Sequence, residues 1–115
     1  MQAREHDENL PVLRLTGEID LSTSPELRAR LQQHAKAKCP ALVLDFSEVE
    51  YIDSSGLATI VEYLQHARAF DGRLALAHVS DRVRTIFELV RLHEFLPIHP
   101  TVAEAVAALR SKPSA

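Results

Sequence analysis

Short apolar runs alternate with amphipathic stretches along the whole chain, and this alternation constrains the fold more than any other feature. The apolar runs are residues 10–15, 41–46, 73–79 and the brief 96–98. The run 41–46, ALVLDF, is apolar on both alternations, so it needs cover on both faces and reads as a central strand. The stretches between the runs place apolar residues three and four apart, which buries one face of a helix. Strands alternating with helices imply a largely parallel sheet with right-handed crossovers. Residues 2–6 can pair with the first run through the polar turn Asp7-Glu8-Asn9, adding an antiparallel edge. Pro11 suits an edge or strand-start position. The expected order is β-β-α-β-α-β-α-β-α.

Each helix carries its own start signal. In Ser22-Thr23-Ser24-Pro25-Glu26, Thr23 or Ser24 can cap, Pro25 fits the first turn, and Glu26 completes a capping box if Thr23 is the cap. That helix runs to about Lys38, with Leu27, Leu31 and Ala35 inward. The second begins at Ser54-Ser55-Gly56, carries the stripe Leu57, Ile60, Val61 and Leu64, and ends near Phe70 before Asp71-Gly72. Ser80 caps a third with the stripe Val83, Ile86, Phe87 and Val90. Thr101 and Glu104 form a capping box for the last, with Val102, Val106 and Leu109 inward. Residues 47–53 read as an acidic loop bearing Glu48, Glu50 and Asp53.

A chain of 115 residues, 46% hydrophobic and 25% charged, suits one compact domain, with its core at about 10–109 and a flexible tail at 111–115. Net charge is −3, and the only lysines are Lys36, Lys38 and Lys112. The absence of a basic cluster argues against nucleic acid and anionic membranes as partners. Cys39 is the single cysteine, which points to a reducing compartment and to a small residue near a strand start. The first residues, MQAREHDENL, lack the apolar segment of a signal peptide, and no run approaches the ~20 residues of a membrane span. The expectation is a cytoplasmic protein without membrane insertion.

The sequence offers little to catalysis. His6, His34, His66, His78, His93 and His99 include no pair at the i,i+4 spacing of a helical metal site. There is no Gly-x-Ser-x-Gly elbow. Gly17, Gly56 and Gly72 form no phosphate loop. A phospho-aspartate receiver built on Asp45 would need a lysine late in the sheet, and residues 96–100 have none. No enzyme activity, cofactor or metal is expected.

What remains is Tyr51-Ile52-Asp53-Ser54-Ser55-Gly56-Leu57, where a strand hands over to a helix. Asp53 or Ser54 can cap the helix by accepting from its free amides. Gly56 is unusual there, because glycine costs roughly 1 kcal/mol against alanine inside a helix. It leaves the backbone open to close approach by another molecule. A phosphate on Ser54 or Ser55 would add roughly −1.5 to −2 charges beside Asp53, Glu50 and Glu48, and repel an acidic or apolar partner face.

With VLRLTGEIDLSTSPELRARL, ALVLDFSEVEYIDSSGLATIVEYLQHA and GRLALAHVSDRVRTIFELVRLHEFLPIHPTVAEAVAAL, the chain resembles a STAS domain, the fold of bacterial anti-sigma factor antagonists. Gly17-Glu18-Ile19-Asp20 together with Asp53-Ser54-Ser55-Gly56-Leu57 carries the resemblance, which extends from about Leu10 to Leu109. It implies an α/β domain with a central mixed sheet and about four helices stacked mainly on one side. It also implies an anti-sigma serine kinase that phosphorylates the serine before the glycine, Ser55 here, with Ser54 as runner-up. The unphosphorylated antagonist binds that kinase, the phosphorylated form lets go, and a PP2C-type phosphatase resets it. Asp20, Asp53, Ser54 and Gly56 would shape the kinase interface. STAS domains also occur as subunits of lipid-moving ABC transporters and as stress-sensing scaffolds. The two serines favour the phospho-switch over those alternatives.

Overall fold

The run 41–46 lies at the centre of the sheet, with a neighbouring strand on each side. The computed structural model describes residues 10–111. Strand β2, Ala41–Ile52, pairs in parallel with β1, Val12–Ile19, on one side and with β3, Arg73–Ala77, on the other. A two-residue strand, β4, Ile98–His99, pairs in parallel with β3, giving the order β1-β2-β3-β4. The described pairings are all parallel. The expected antiparallel partner, residues 2–6, and the tail from residue 112 onward lie outside the described residues.

Helices α1 (Ser24–Lys36), α2 (Ser54–Ala67), α3 (Asp81–Leu89) and α4 (Val102–Arg110) connect and follow the strands. The period-two alternation of the strands divides their side chains between two cores. Leu13, Leu15, Leu42, Leu44, Phe46, Leu74 and Leu76 meet Leu27 and Leu31 of α1, Ile60 of α2, and Val83 and Phe87 of α3. Phe46 and Phe87 stack edge-on with ring centroids 5.9 Å apart. On the other face Val12, Val43, Ala75 and Ala77 meet Ala105 and Leu109 of α4. Three helices therefore cover one face and one covers the other. Each leucine buried in this way contributes roughly 1.5–3 kcal/mol.

Strand β2 is longer than its sequence suggests, because residues 47–52 continue the strand where an acidic loop is expected. The register explains the difference. Arg14 and Thr16 of β1 lie opposite Asp45 and Glu48, and Gly17 and Glu18 lie opposite Val49 and Tyr51. Each interval holds one more residue on β2 than on β1. Such bulges interrupt the period-two pattern by which a strand is recognised. Gly17 sits at the second shift with φ +77°, a conformation that favours glycine.

Helix boundaries move for local reasons. Helix α1 stops at Lys36, and Lys38 turns the chain with φ 52°. Helix α2 stops at Ala67, followed by a 3-10 turn, Arg68–Phe70, and left-handed Asp71. Val90 lies past the end of α3 and is half exposed, so it is not part of the inward stripe. The last strand is displaced to Ile98–His99, and Leu96 is buried just before it. Ser80 and Thr101 cap α3 and α4 as the sequence predicts, accepting from the amides of Val83 and Glu104.

Candidate functional site

Parallel strands bring their carboxyl ends together, and β1 and β2 end in register with Ile19 opposite Ile52. The next residue in each chain segment is an aspartate, Asp20 or Asp53, followed by a helix. The amide of Asp53 donates to the carbonyl of Ile19 (3.0 Å), which joins the two turns into one corner. Open α/β sheets commonly place function at such strand ends.

Asp53 is the N-cap of α2, with extended backbone (φ −104°, ψ −173°). Its Oδ1 accepts from the Ser55 amide (2.9 Å), the Gly56 amide (3.2 Å) and the Ser55 hydroxyl (2.6 Å). The last is a short, charge-assisted bond. The Ser55 hydroxyl, helped by the two amides, holds the Asp53 carboxyl below its ordinary value of 3.8, while burial and the Asp20 charge push the other way. Ser55 is half-buried and Ser54 is exposed.

Asp20 organises the neighbouring turn. Its Oδ1 accepts from the Ser22 hydroxyl (2.7 Å), the Ser22 amide (2.9 Å) and the Thr23 amide (3.2 Å). The Ser22 hydroxyl is the leading cause that lowers the Asp20 carboxyl from its ordinary value. Thr23 Oγ1 accepts from the Asp20 amide (2.9 Å) and donates to the Glu18 carbonyl (2.8 Å). Thr23 is thereby committed to the turn and makes no side-chain cap for α1, contrary to the expected capping box. Between Asp20 and Ser22, Leu21 is 78% exposed. Sequence patterning passes over it, because a lone leucine in a polar helix-entry segment has no period.

Gly56 is buried, and the approach it permits comes from within the chain. A Cβ there would lie 2.7 Å from Ile19 Cγ2 and 2.7 Å from Ile52 Cγ1. The missing side chain lets the first turn of α2 rest on Ile19 and Ile52 at the ends of both strands. Glu48, expected beside Asp53, instead forms an ion pair with Arg14 of β1 (2.9 Å). Asp20, not Glu48, supplies the second carboxylate of the corner. At the same end of the sheet Arg82 of α3 lies over the Tyr51 ring, 5.6 Å from its centroid. Among the described residues, no group of three or more His, Cys, Asp or Glu side chains converges as a metal site would need. No helix among them is long and apolar enough to cross a membrane.

The fold and this corner define a class: a parallel α/β sheet whose first two strands present paired acidic turns and a Ser-Ser-Gly helix start. The family model for the STAS domain matches residues 1–105, and the chain belongs to that family. It is 30% identical over 98 residues to the anti-sigma-B factor antagonist of Listeria monocytogenes, covering 85% of this chain and 86% of that one. It is 26% identical over 106 residues to the anti-sigma F factor antagonist of Paenibacillus polymyxa, covering 91% of each. A crystal structure of an anti-sigma factor antagonist from Mycobacterium paratuberculosis superposes with a TM-score of 0.87 at 27% identity, covering 96% of this chain and 94% of that one.

Proposed function

We propose that this chain is an anti-sigma factor antagonist that binds an anti-sigma serine kinase while unphosphorylated and is released once that kinase phosphorylates Ser55. The observation that carries this reading is the 2.6 Å bond from the Ser55 hydroxyl to Asp53, at a corner shared with the Asp20 carboxylate. The bond orients the Ser55 oxygen at the surface end of α2. Phosphorylation removes the donated proton and sets a group of roughly −1.5 to −2 charges against two carboxylates. The Ser55 and Gly56 amides, which would otherwise receive an anion at a helix start, already donate to Asp53. The added charge is therefore directed outward at the bound partner. A PP2C-type phosphatase restores the binding form.

Ser54 is the second acceptor to weigh, because it is the more exposed of the two. Incubation with ATP, Mg²⁺ and the serine kinase encoded nearest to this chain, followed by fragment mass spectrometry, tests the reading. One phosphate on Ser55, absent from Ser55→Ala, is the expected result. Phosphate retained by Ser55→Ala moves the acceptor to Ser54. No phosphate from a kinase proven active on another substrate overturns the switch in favour of a transporter-associated or scaffold role.

A further inference from the structure

Helix α4 stands alone on its face of the sheet among the described helices. It has nine residues, and isolated helices below about 12–15 residues are marginal in water, so tertiary contacts must hold it. Those contacts are thin. Ala105 and Leu109 are buried, Val102 and Val106 partly so, and they meet the small side chains of Val12, Val43, Ala75 and Ala77. Helix α3 is as short, but its Val83 and Phe87 join the leucine-rich core that α1 and α2 share. Arg73 makes up the difference at the far end of α4. Its own backbone is fixed in the sheet, pairing with Ala41 and donating its amide to the Pro40 carbonyl (3.0 Å). Its Nη1 donates to the carbonyls of Leu109 (3.0 Å) and Ser111 (3.1 Å), and Nη2 to that of Ala108 (3.5 Å). The Ala107 carbonyl accepts from the amide and the hydroxyl of Ser111 (3.2 and 3.1 Å). The carbonyls of a last turn have no amide partner within their helix, and here one guanidinium from β3 meets two of them and the carbonyl that follows. Its charge also opposes the negative end of the helix dipole.

We infer that α4 is a strap that lifts from the sheet as a unit while the rest of the domain stays folded, and that Arg73 is the clasp that sets how often it lifts. The fork is planar, so its bonds form together only when the last turn of α4 is wound and seated. Clasp and helix therefore open together. Lifting gives up only the small-residue contacts of one face, and the leucine core under α1, α2 and α3 stays closed. The lifted state bares Val12, Val43, Ala75 and Ala77 and leaves the Arg73 guanidinium without its carbonyls. Asp53 and Ser55 keep their geometry, because α2 packs on the opposite face. Opening at the strap is thus separate from any event at the serine corner.

Amide hydrogen exchange of the full chain in low, non-denaturing urea tests this, on wild type, Arg73→Met, Arg73→Lys and Ile60→Val. In wild type the amides of Ala105 and Leu109 should be protected at least about tenfold less than those of Leu42 and Leu44, with a weaker dependence on urea. Ile60→Val should speed exchange at Leu42 and Leu44 several-fold and leave Ala105 and Leu109 within about twofold, because Ile60 stays packed in the lifted state. Arg73→Met keeps the apolar stem and removes the fork, and should speed exchange at Ala105 and Leu109 by about tenfold or more. Arg73→Lys should speed it less, since an ammonium keeps the charge but not the fork. Equal protection and equal urea dependence at both pairs of amides in wild type overturn the strap, because α4 then opens only with the whole domain. Ile60→Val acting equally on both pairs overturns it in the same way. Exchange at Ala105 and Leu109 within about twofold of wild type in Arg73→Met overturns the clasp. An Arg73→Met chain unfolded throughout also overturns it, because Arg73 would then hold the domain and not the strap.

Discussion

Asp53 carries more of the site than any other residue, because one carboxylate oxygen caps α2 and orients the Ser55 hydroxyl. Its folded-state pKa is lowered, as is that of Asp20. Both groups therefore contribute stability above their ordinary value of 3.8, and that contribution is lost as pH falls through the lower folded-state values. Asp53→Asn should accordingly show a shallower fall of the urea midpoint below about pH 4 than wild type, the difference isolating this carboxylate from the rest. Removing the cap altogether, in Asp53→Ala, should cost about 1 kcal/mol near neutral pH. Tyr63 is a different case. It is 2% exposed, its hydroxyl has no hydrogen-bond partner among the described residues, and burial pushes its pKa up to about 12. A buried orphan hydroxyl costs about 1–3 kcal/mol, so Tyr63→Phe should be at least as stable as wild type in urea. A clear loss of stability would show that the hydroxyl has a partner after all.

Helix α2 shows how far a periodic stripe can be read. Leu57 and Ile60 are buried as expected, but Val61 and Leu64 are only half-buried, and Thr59 and Tyr63 are buried in their place. The inward face is rotated because the close seat of Gly56 on Ile19 and Ile52 sets the helix rotation, not hydrophobicity alone. Thr59 can be buried because its hydroxyl donates to the Ser55 carbonyl (2.8 Å). Ile60→Ala should therefore cost about 2–5 kcal/mol, and Leu64→Ala clearly less, measured by denaturant unfolding. Equal losses would contradict the rotation. The short reading of β2 has a similar origin. The central run is legible because it is apolar throughout, whereas its extension carries two register shifts that break the alternation, and the pairing that makes it a strand lies on β1.

At the scale of the molecule, the two faces of the sheet differ in the size of their side chains. Leucines and phenylalanines fill the face under α1, α2 and α3, and the smaller Val12, Val43, Ala75 and Ala77 line the face under α4. Ala75 and Ala77 have no exposed surface, so α4 packs directly on the centre of β3. Ala75→Leu should cost about 1–3 kcal/mol through overpacking and should loosen α4 first, seen as faster amide exchange at Ala105 and Leu109. The sequence by itself determined the alternation of elements, the central strand, the caps at Ser80 and Thr101, and the Ser-Ser-Gly helix start. Each of these is encoded in residues close together in the chain, where composition and spacing suffice. The tertiary structure alone decided that Asp20 rather than Glu48 stands against Asp53, that Gly56 is emptied for Ile19 and Ile52, and that Leu21 stands exposed at the same corner. The contacts that decide them join the end of β1 to the end of β2 and the start of α2, more than thirty residues apart. They arise from parallel pairing of β1 with β2, which no local pattern specifies.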